Sequence, residues 1–490
     1  MSAPSDRNDA DHDNGFAGTY QPSLPHLELG DAFYDEVAAA VFPQHDLRYR
    51  NNRSAATVGL DRLTDGDWVA HFGRFKPLPG NLQTALALRY HGHQFRAYNP
   101  NLGDGRGFLF AQLRERDSGR LLDLATKGSG QTPWARGRDG RLTLKGGVRE
   151  ILAAEMLEAL GVDTSKVLSL IETGEDLVRN DEPSPTRSSV LVRLSHSHIR
   201  IGTFERLAYF GERENIERLI DHCIRYYYPE LESERGPARV IALFAAVSRA
   251  VAQTGARWLA AGFAHGVLNT DNINITGESF DYGPWRFVPT FDLRFTAAYF
   301  DRNGLYSFGQ QPTALEWNIV RLGDCLLPFA EASALASAQK VFSPSLQQEF
   351  ARALLARFGL KREGEVRDDT LVRAIFAFLT TSGAPLEQVF FDWFNGEASA
   401  HRARQSPVAG LYETEPFIAI RRAWDGCEMM DSRALDMTYF QRRRPCTMLI
   451  DEVEALWQAI VEGDDWQPFH EKLAEIREMA AAYRLERPTS

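Results

Sequence analysis

One pattern constrains this chain more than any other: a histidine, six residues and an asparagine, then eight further residues and Asp-x-Gly. It reads His265-Gly266-Val267-Leu268-Asn269-Thr270-Asp271-Asn272, followed by Asp281-Tyr282-Gly283. An amide oxygen and a carboxylate at this separation supply a hard oxygen pair. Mg²⁺ is held by few protein ligands and keeps phosphate oxygens in its shell, so Asn272 and Asp281 suit it. Each piece also has an ordinary reading, since Asn favours turns and Asp-Tyr-Gly makes a tight turn. A fold that carries this pattern as chemistry has to bring the two segments together at one cleft.

The bulk composition removes several alternatives. The 490 residues allow two or three domains, or one large two-lobed enzyme. A net charge of -11 argues against a nucleic-acid surface, which wants a basic face, but leaves room for a local cluster that binds a small anion. Cys223, Cys325, Cys427 and Cys446 lack metal or disulfide spacing, which fits a reducing cytoplasm. Residues 1–20 are polar and carry no apolar stretch of the signal-peptide kind, so they read as a disordered tail. The apolar run 240–264 is interrupted by Arg249, Gln253 and Arg257, as in a buried helix rather than a membrane span.

Periodicity divides the rest. Residues 108–113 and 121–127 read as two strands around a polar turn. Val148, Ile151, Leu152 and Glu155 share one face of a helix that Gly161 stops. Residues 188–195 alternate as a strand with Arg193 off the valine face. From about residue 202 the periods become helical: residues 216–227, ended by Pro229, then 240–261, 346–358 and 448–461. The expected fold is α+β and protein-kinase-like. A mixed N-lobe over 21–205 leads into a helical C-lobe over 206–490, with a C-terminal helical extension.

Several residues ahead of the opening pattern could serve the same site. Gly103-Asp104-Gly105-Arg106-Gly107 precedes a strand and lets backbone approach a phosphate, although a glycine-rich turn is more often a simple loop. Lys127 ends the next strand and Glu150 opens the following helix; a carboxylate there would aim the ammonium at phosphates. Arg193 and Arg200 bracket the end of the lobe, equally suited to phosphates or to structural ion pairs. His91, His93, His196 and His198 read as structural, with no third ligand at metal spacing. What raises the set above its members is order: glycine loop, strand lysine, helix glutamate, His-x6-Asn and Asp-x-Gly follow one another as in protein kinases. One departure stands out. Val267 falls where a kinase keeps its catalytic aspartate, and a branched apolar side chain accepts no proton.

Longer strings narrow the resemblance. Tyr90-His91-Gly92-His93-Gln94-Phe95, Leu102 to Arg106, Lys127-Gly128-Ser129-Gly130-Gln131-Thr132-Pro133, Asp139-Gly140-Arg141, Arg149-Glu150 and Ser197-His198-Ile199-Arg200 are in the set. So are the catalytic-loop run, Asp281 to Pro284, and Tyr306-Ser307-Phe308, Gln311-Pro312 and Trp317-Asn318. Together they resemble the selenoprotein O (YdiU) family of pseudokinase protein nucleotidyltransferases. The resemblance implies transfer of AMP or UMP, from ATP or UTP, to Ser, Thr or Tyr hydroxyls of proteins, with the nucleotide flipped relative to a kinase. By motif, Lys127 and Glu150 would serve the phosphates and Arg193 and Arg200 the γ end. Gly103, Gly105, Arg106, Asp139 and Gly140 would line the nucleotide site. Asn272 and Asp281 would bind Mg²⁺, or Mn²⁺ in its place, and Asp271 would accept the proton. The chain ends Leu485-Glu486-Arg487-Pro488-Thr489-Ser490, without the terminal Cys or selenocysteine motif of many members. Two alternatives share every ligand: a phosphotransferase that uses Asp271 as base, and a non-catalytic ATP-binding scaffold.

Overall fold

The structure is a computed structural model that describes residues 16, 18–180, 182–361, 364–429 and 432–485. Most of the expected tail, residues 1–15 and 17, lies outside the described residues, as does the chain end 486–490. Phe16 and Tyr20 are described, and they are seated: their rings pack together at 4.7 Å, and the Tyr20 hydroxyl donates to Pro79 O at 2.8 Å.

The N-terminal half is built on one antiparallel sheet. Its principal strands are β1 (Tyr34–Val37), β2 (Asp46–Arg50), β3 (Ala85–Leu88), β4 (Gly107–Arg114), β5 (Leu121–Lys127), β6 (Lys166–Leu177) and β7 (Thr186–Ser195). They lie side by side in the order β1-β3-β4-β5-β7-β6-β2. The period-two rule explains how the sheet serves the site. Along β5, Leu122 and Leu124 enter a core with Val192, Leu194, Trp68 and Phe72 on one face. Asp123, Ala125 and Lys127 therefore point to the other face. On β7 the same alternation puts Arg193 opposite Val192 and Leu194, as the sequence pattern predicts, and Arg193 pairs in register with Ala125.

Helix α1 (Leu144–Ala159) packs across that second face. Thr143 caps it by accepting from the Gly146 N–H at 3.1 Å, and it ends at Gly161, whose φ of +79° suits a residue without Cβ. Helical structure then takes over. The long helix α2 (Gly236–Ala260) buries Val240, Leu243, Phe244, Val247 and Val251. Gly262, at φ +65°, reverses the chain just after it into the short strand Phe263–Ala264 and the loop that begins at His265. A Cβ at Gly262 would come within 2.5 Å of Leu386. The architecture is α+β, as the sequence pattern predicts. Among the described residues no helix is long and apolar enough to cross a membrane.

The C-terminal helices Ile450–Gly463 and Gln467–Tyr483 return to the sheet side of the molecule. Lys145 of α1 pairs with Glu454 at 2.6 Å, Arg187 of β7 pairs with Asp464 at 2.7 Å, and Tyr49 of β2 meets Phe469 edge-on. They brace α1 from behind. The residue pattern announces a helix over 448–461 within the expected C-lobe extension, but carries no sign that it and the following helix would reach back to the sheet side.

Three buried imidazoles resist protonation in this fold. Burial pushes His26 down to about 4 and His196 and His222 down to about 3, against an ordinary value near 6.5. At these three sites the unfolded chain binds more protons below about pH 6.5, so their contribution to stability falls as the pH is lowered through that point. Each imidazole can contribute up to about 1.4 kcal/mol per pH unit. The buried carboxyls of Asp271 and Glu278, pushed up to about 7 and about 8, contribute in the opposite direction. The variant His222→Gln should therefore lose less Tm between pH 7 and pH 5 than the parent protein does. The same pH dependence of Tm in parent and variant would contradict the assignment of a neutral, buried His222.

Candidate active site

A cleft of about 560 Å³ opens between the sheet and the helical half. Its volume suits a nucleotide-sized ligand. Gly103, Asp104, Gly105, Arg106, Lys127, Asp139, Gly140, Arg193, Arg200, Asp271 and Asp281 line it. These come from strand ends, two loops and the segments after α2, yet they converge. The walls carry eight Lys and Arg residues against four Asp, in a chain whose net charge is -11. Such focused positive potential fits a polyanion.

Deep in the cleft the charges are organised around Asp281. Lys127 Nζ donates to Asp281 Oδ1 at 2.7 Å and pairs on its other side with Glu150, which is buried. Arg193 lies 3.4 Å and Arg200 3.9 Å from the same carboxylate. Burial alone would raise the Asp281 carboxyl, but Lys127, Arg193 and Arg200 outweigh it and hold the group well below the usual carboxylate range. Asp281 also has φ +63°, a left-handed backbone that costs a non-glycine residue of order 1 kcal/mol or more. The Arg200 guanidinium is aimed by three contacts: Asp271 O at 3.0 Å, Asp104 at 3.3 Å, and the face of Tyr90 at 4.3 Å.

Glu150 and Asn272 are not part of the cleft wall. Glu150 acts through Lys127. Asn272 donates its Nδ2 to Val267 O at 3.1 Å, which fixes the amide and leaves its oxygen as the atom able to face a cation. By donor type, an ionised carboxylate and an amide oxygen suit a hard divalent ion completed by phosphate oxygens, while Asn272 itself borders a separate small cavity beside Trp258 and Ser279. Asp271 is different again. Its Oδ1 is buried without a hydrogen-bond partner, and burial, partly offset by Arg200, pushes the carboxyl up to about 7.

The glycine loop works by close approach rather than by unusual backbone. A Cβ on Gly103 would meet the Trp134 ring at 2.4 Å. Trp134, Arg136 and Arg138 line the cleft but stood out only as part of no motif in the sequence, because nothing in their spacing predicts that the loop folds over the site. Asp139 is engaged: Arg179 holds it through two bonds of 2.8 and 3.0 Å.

The histidines read as structural divide. His93 belongs to a small hairpin, Gly92–Gln94 with Ala97–Asn99, that clamps the catalytic loop, and His91 directly precedes it with Nδ1 2.7 Å from the Tyr98 hydroxyl. The His93 N–H donates to Thr270 Oγ1 at 2.7 Å, and both His93 and Thr270 bond Glu205. His265 Nε2 lies 3.1 Å from Phe280 O and ties the loop to the Asp281 segment. Gln311 accepts from the His265 N–H at 2.9 Å, and Asn318 donates to Leu268 O at 2.9 Å. His198, by contrast, reaches the cleft wall, with Nδ1 3.4 Å from the buried Asp123.

A family model described as protein adenylyltransferase SelO matches residues 16–477. The chain belongs to the SelO family. Relatives named protein nucleotidyltransferase YdiU include one from Synechocystis sp., 44% identical, covering 94% of this chain and 98% of its own length. Another from Gloeobacter violaceus is 44% identical over 94% and 95%, and one from Trichormus variabilis is 42% identical over the same shares. The large antiparallel sheet and helical C-terminal half accord with a kinase-like fold in a SelO protein.

In this SelO chain Gly92 makes room for Asp271: a Cβ there would lie 2.8 Å from Asp271 Oδ1 and 3.1 Å from Thr270 Oγ1. Gly92→Ala should displace the carboxyl and lower turnover at least tenfold, while Mg-ATP still raises the Tm as in the parent protein. Unchanged turnover would remove Asp271 from its assigned position.

Proposed function

We propose that this protein transfers AMP, or UMP, from ATP or UTP to Ser, Thr or Tyr hydroxyls of proteins and releases pyrophosphate. The observation that carries this reading is the convergence of Lys127, Arg193 and Arg200 on Asp281 at the deep end of the cleft, with Val267 at the kinase base position and Asp271 uncommitted. The family description and the relatives' names support the same chemistry.

Three cations suit a polyanionic leaving group such as pyrophosphate. With the outer phosphates against Arg193 and Arg200, the α-phosphorus faces the catalytic loop. The acceptor oxygen attacks it, the bond to the β-phosphate bridging oxygen breaks, and the hydroxyl proton passes to Asp271. Lys127, aimed by Glu150, and the two arginines meet the charge that develops on pyrophosphate. Asn272 and Asp281 would hold Mg²⁺, or Mn²⁺, which supplies Lewis-acid charge neutralisation when bound. Gly103, Gly105, Arg106, Asp139 and Gly140 line the remainder of the nucleotide.

Intact mass after incubation with Mg-ATP, alone and with added proteins, separates the possibilities. An added nucleoside monophosphate is the expected product. An added phosphate would replace this reading with a phosphotransferase that uses Asp271, and a Tm shift without product would leave a nucleotide-binding scaffold. Asp281→Ala should abolish transfer by removing a metal ligand and unbalancing three cations. Asp271→Asn, which keeps the shape and loses the proton acceptor, should reduce it by about 100-fold or more.

A further inference from the structure

The clamping hairpin has an improbable turn. Its strands are joined by only two residues, Phe95 and Arg96, with φ of +50° and +65°. Such turns favour Asn-Gly because both positions are left-handed. A phenylalanine and an arginine there each cost about 1 kcal/mol or more. Both residues remain open to water: Phe95 is 40% exposed, and Arg96 is exposed with its guanidinium 5.8 Å from the Trp317 ring. The turn is therefore not optimised for folding, and its side chains need another reason.

Their neighbours supply one. Phe95 packs against Tyr306 at 5.0 Å and Phe300 at 6.0 Å, and Phe300 against Tyr299 at 5.1 Å. Tyr299 is 83% and Phe300 45% exposed. The three rings form one ledge in water, a contiguity that isolated surface aromatics lack. The ledge is fastened to the catalytic loop. The Asn269 side-chain oxygen accepts from the Phe95 N–H at 3.1 Å and from the Tyr306 hydroxyl at 2.8 Å. Asn269 precedes Asp271 by two residues, about 7 Å of chain. Arg96 is the second residue of the turn, Arg302 follows Phe300 by two residues and Arg294 precedes Tyr299 by five; all three are exposed, and Asp292 pairs with Arg294.

We propose that Phe95, Tyr299 and Phe300 form the docking ledge for the acceptor polypeptide. They seat an aromatic or large aliphatic side chain beside the modified hydroxyl, and Arg96, Arg294 and Arg302 select acidic neighbours. This rests on the nucleotidyl-transfer reading and names its substrate class. An acceptor hydroxyl has to come within hydrogen-bond reach of Asp271, so the chain that carries it passes over the surface fastened to Asn269. Aromatic anchors with exposed cations in the same segments are how a surface of this size gains both affinity and selectivity.

The test uses the full chain, ATP labelled on the α-phosphate, Mg²⁺, and a peptide array. Each peptide has a central Ser, Thr or Tyr, and flanking positions vary among Phe, Leu, Gly, Glu and Lys. Peptides with Phe or Leu together with Glu should be labelled at least tenfold more than those with Gly and Lys. Tyr299→Ser/Phe300→Ser should lose that preference and at least tenfold of the labelling, with the Mg-ATP Tm shift unchanged. Phe95→Gly removes the ring while relieving the backbone, so it should fold at least as well and lose the same preference. Labelling without preference, equal labelling by parent and variants, or self-labelling with no peptide labelled would each overturn the ledge and leave the transfer chemistry standing. No α-label in peptide or protein would overturn both.

Discussion

The ammonium of Lys127, buried between Glu150 and Asp281, joins three parts of the chain that fold by different rules: a strand end, a helix and a turn. Two carboxylates around one lysine need further cations before the site can accept a polyphosphate, and Arg193 and Arg200 supply them. A buried cluster of this kind contributes little net stability. Removing one member, however, leaves its partners desolvated and uncompensated, which costs several kcal/mol. The arrangement is therefore all or none: the sheet, α1 and the Asp281 turn have to be in place together for the cleft to hold its charge pattern. The C-terminal helices packed behind α1 serve the same end, because they keep Glu150 from swinging away from Lys127.

Around that cluster the catalytic loop is held by side chains from remote segments. Gln311 and Asn318 grip its backbone from a helix below, and the Gly92–Asn99 hairpin grips it from above through Thr270 and Asn269. The number of such clamps has a physical reason. The loop is irregular, so it has few internal hydrogen bonds, and its buried polar groups need partners from elsewhere. Glu205, shared by His93 and Thr270, and the short helix Thr270–Asn272 present Asp271 to the cleft with one carboxyl oxygen unengaged.

The distribution of charge separates solubility from recognition. An acidic chain overall carries a cleft in which Lys and Arg outnumber Asp two to one, and exposed arginines in the segments that carry the aromatic ledge.

The sequence by itself determined the fold class, the sheet strands and helices that flank the site, and the contiguous motifs whose residues line the cleft. These are local matters: period-two alternation orients Arg193 and Lys127, a Thr cap and Gly161 bound α1, and His265 to Asn272 with Asp281 announces a phosphate site. It did not determine what depends on distant contacts. That Trp134 folds over Gly103, that His198 reaches the cleft while His93 grips the loop, that Asn272 turns its amide toward Val267, and that helices 450–483 pack on α1 as well as on Phe394 and Tyr439 of the helical half, follow from tertiary packing alone. A histidine or tryptophan has the same local preferences in either role. Which role it takes is decided by the partner that three-dimensional closure brings within about 3 Å, and linear spacing carries no record of that.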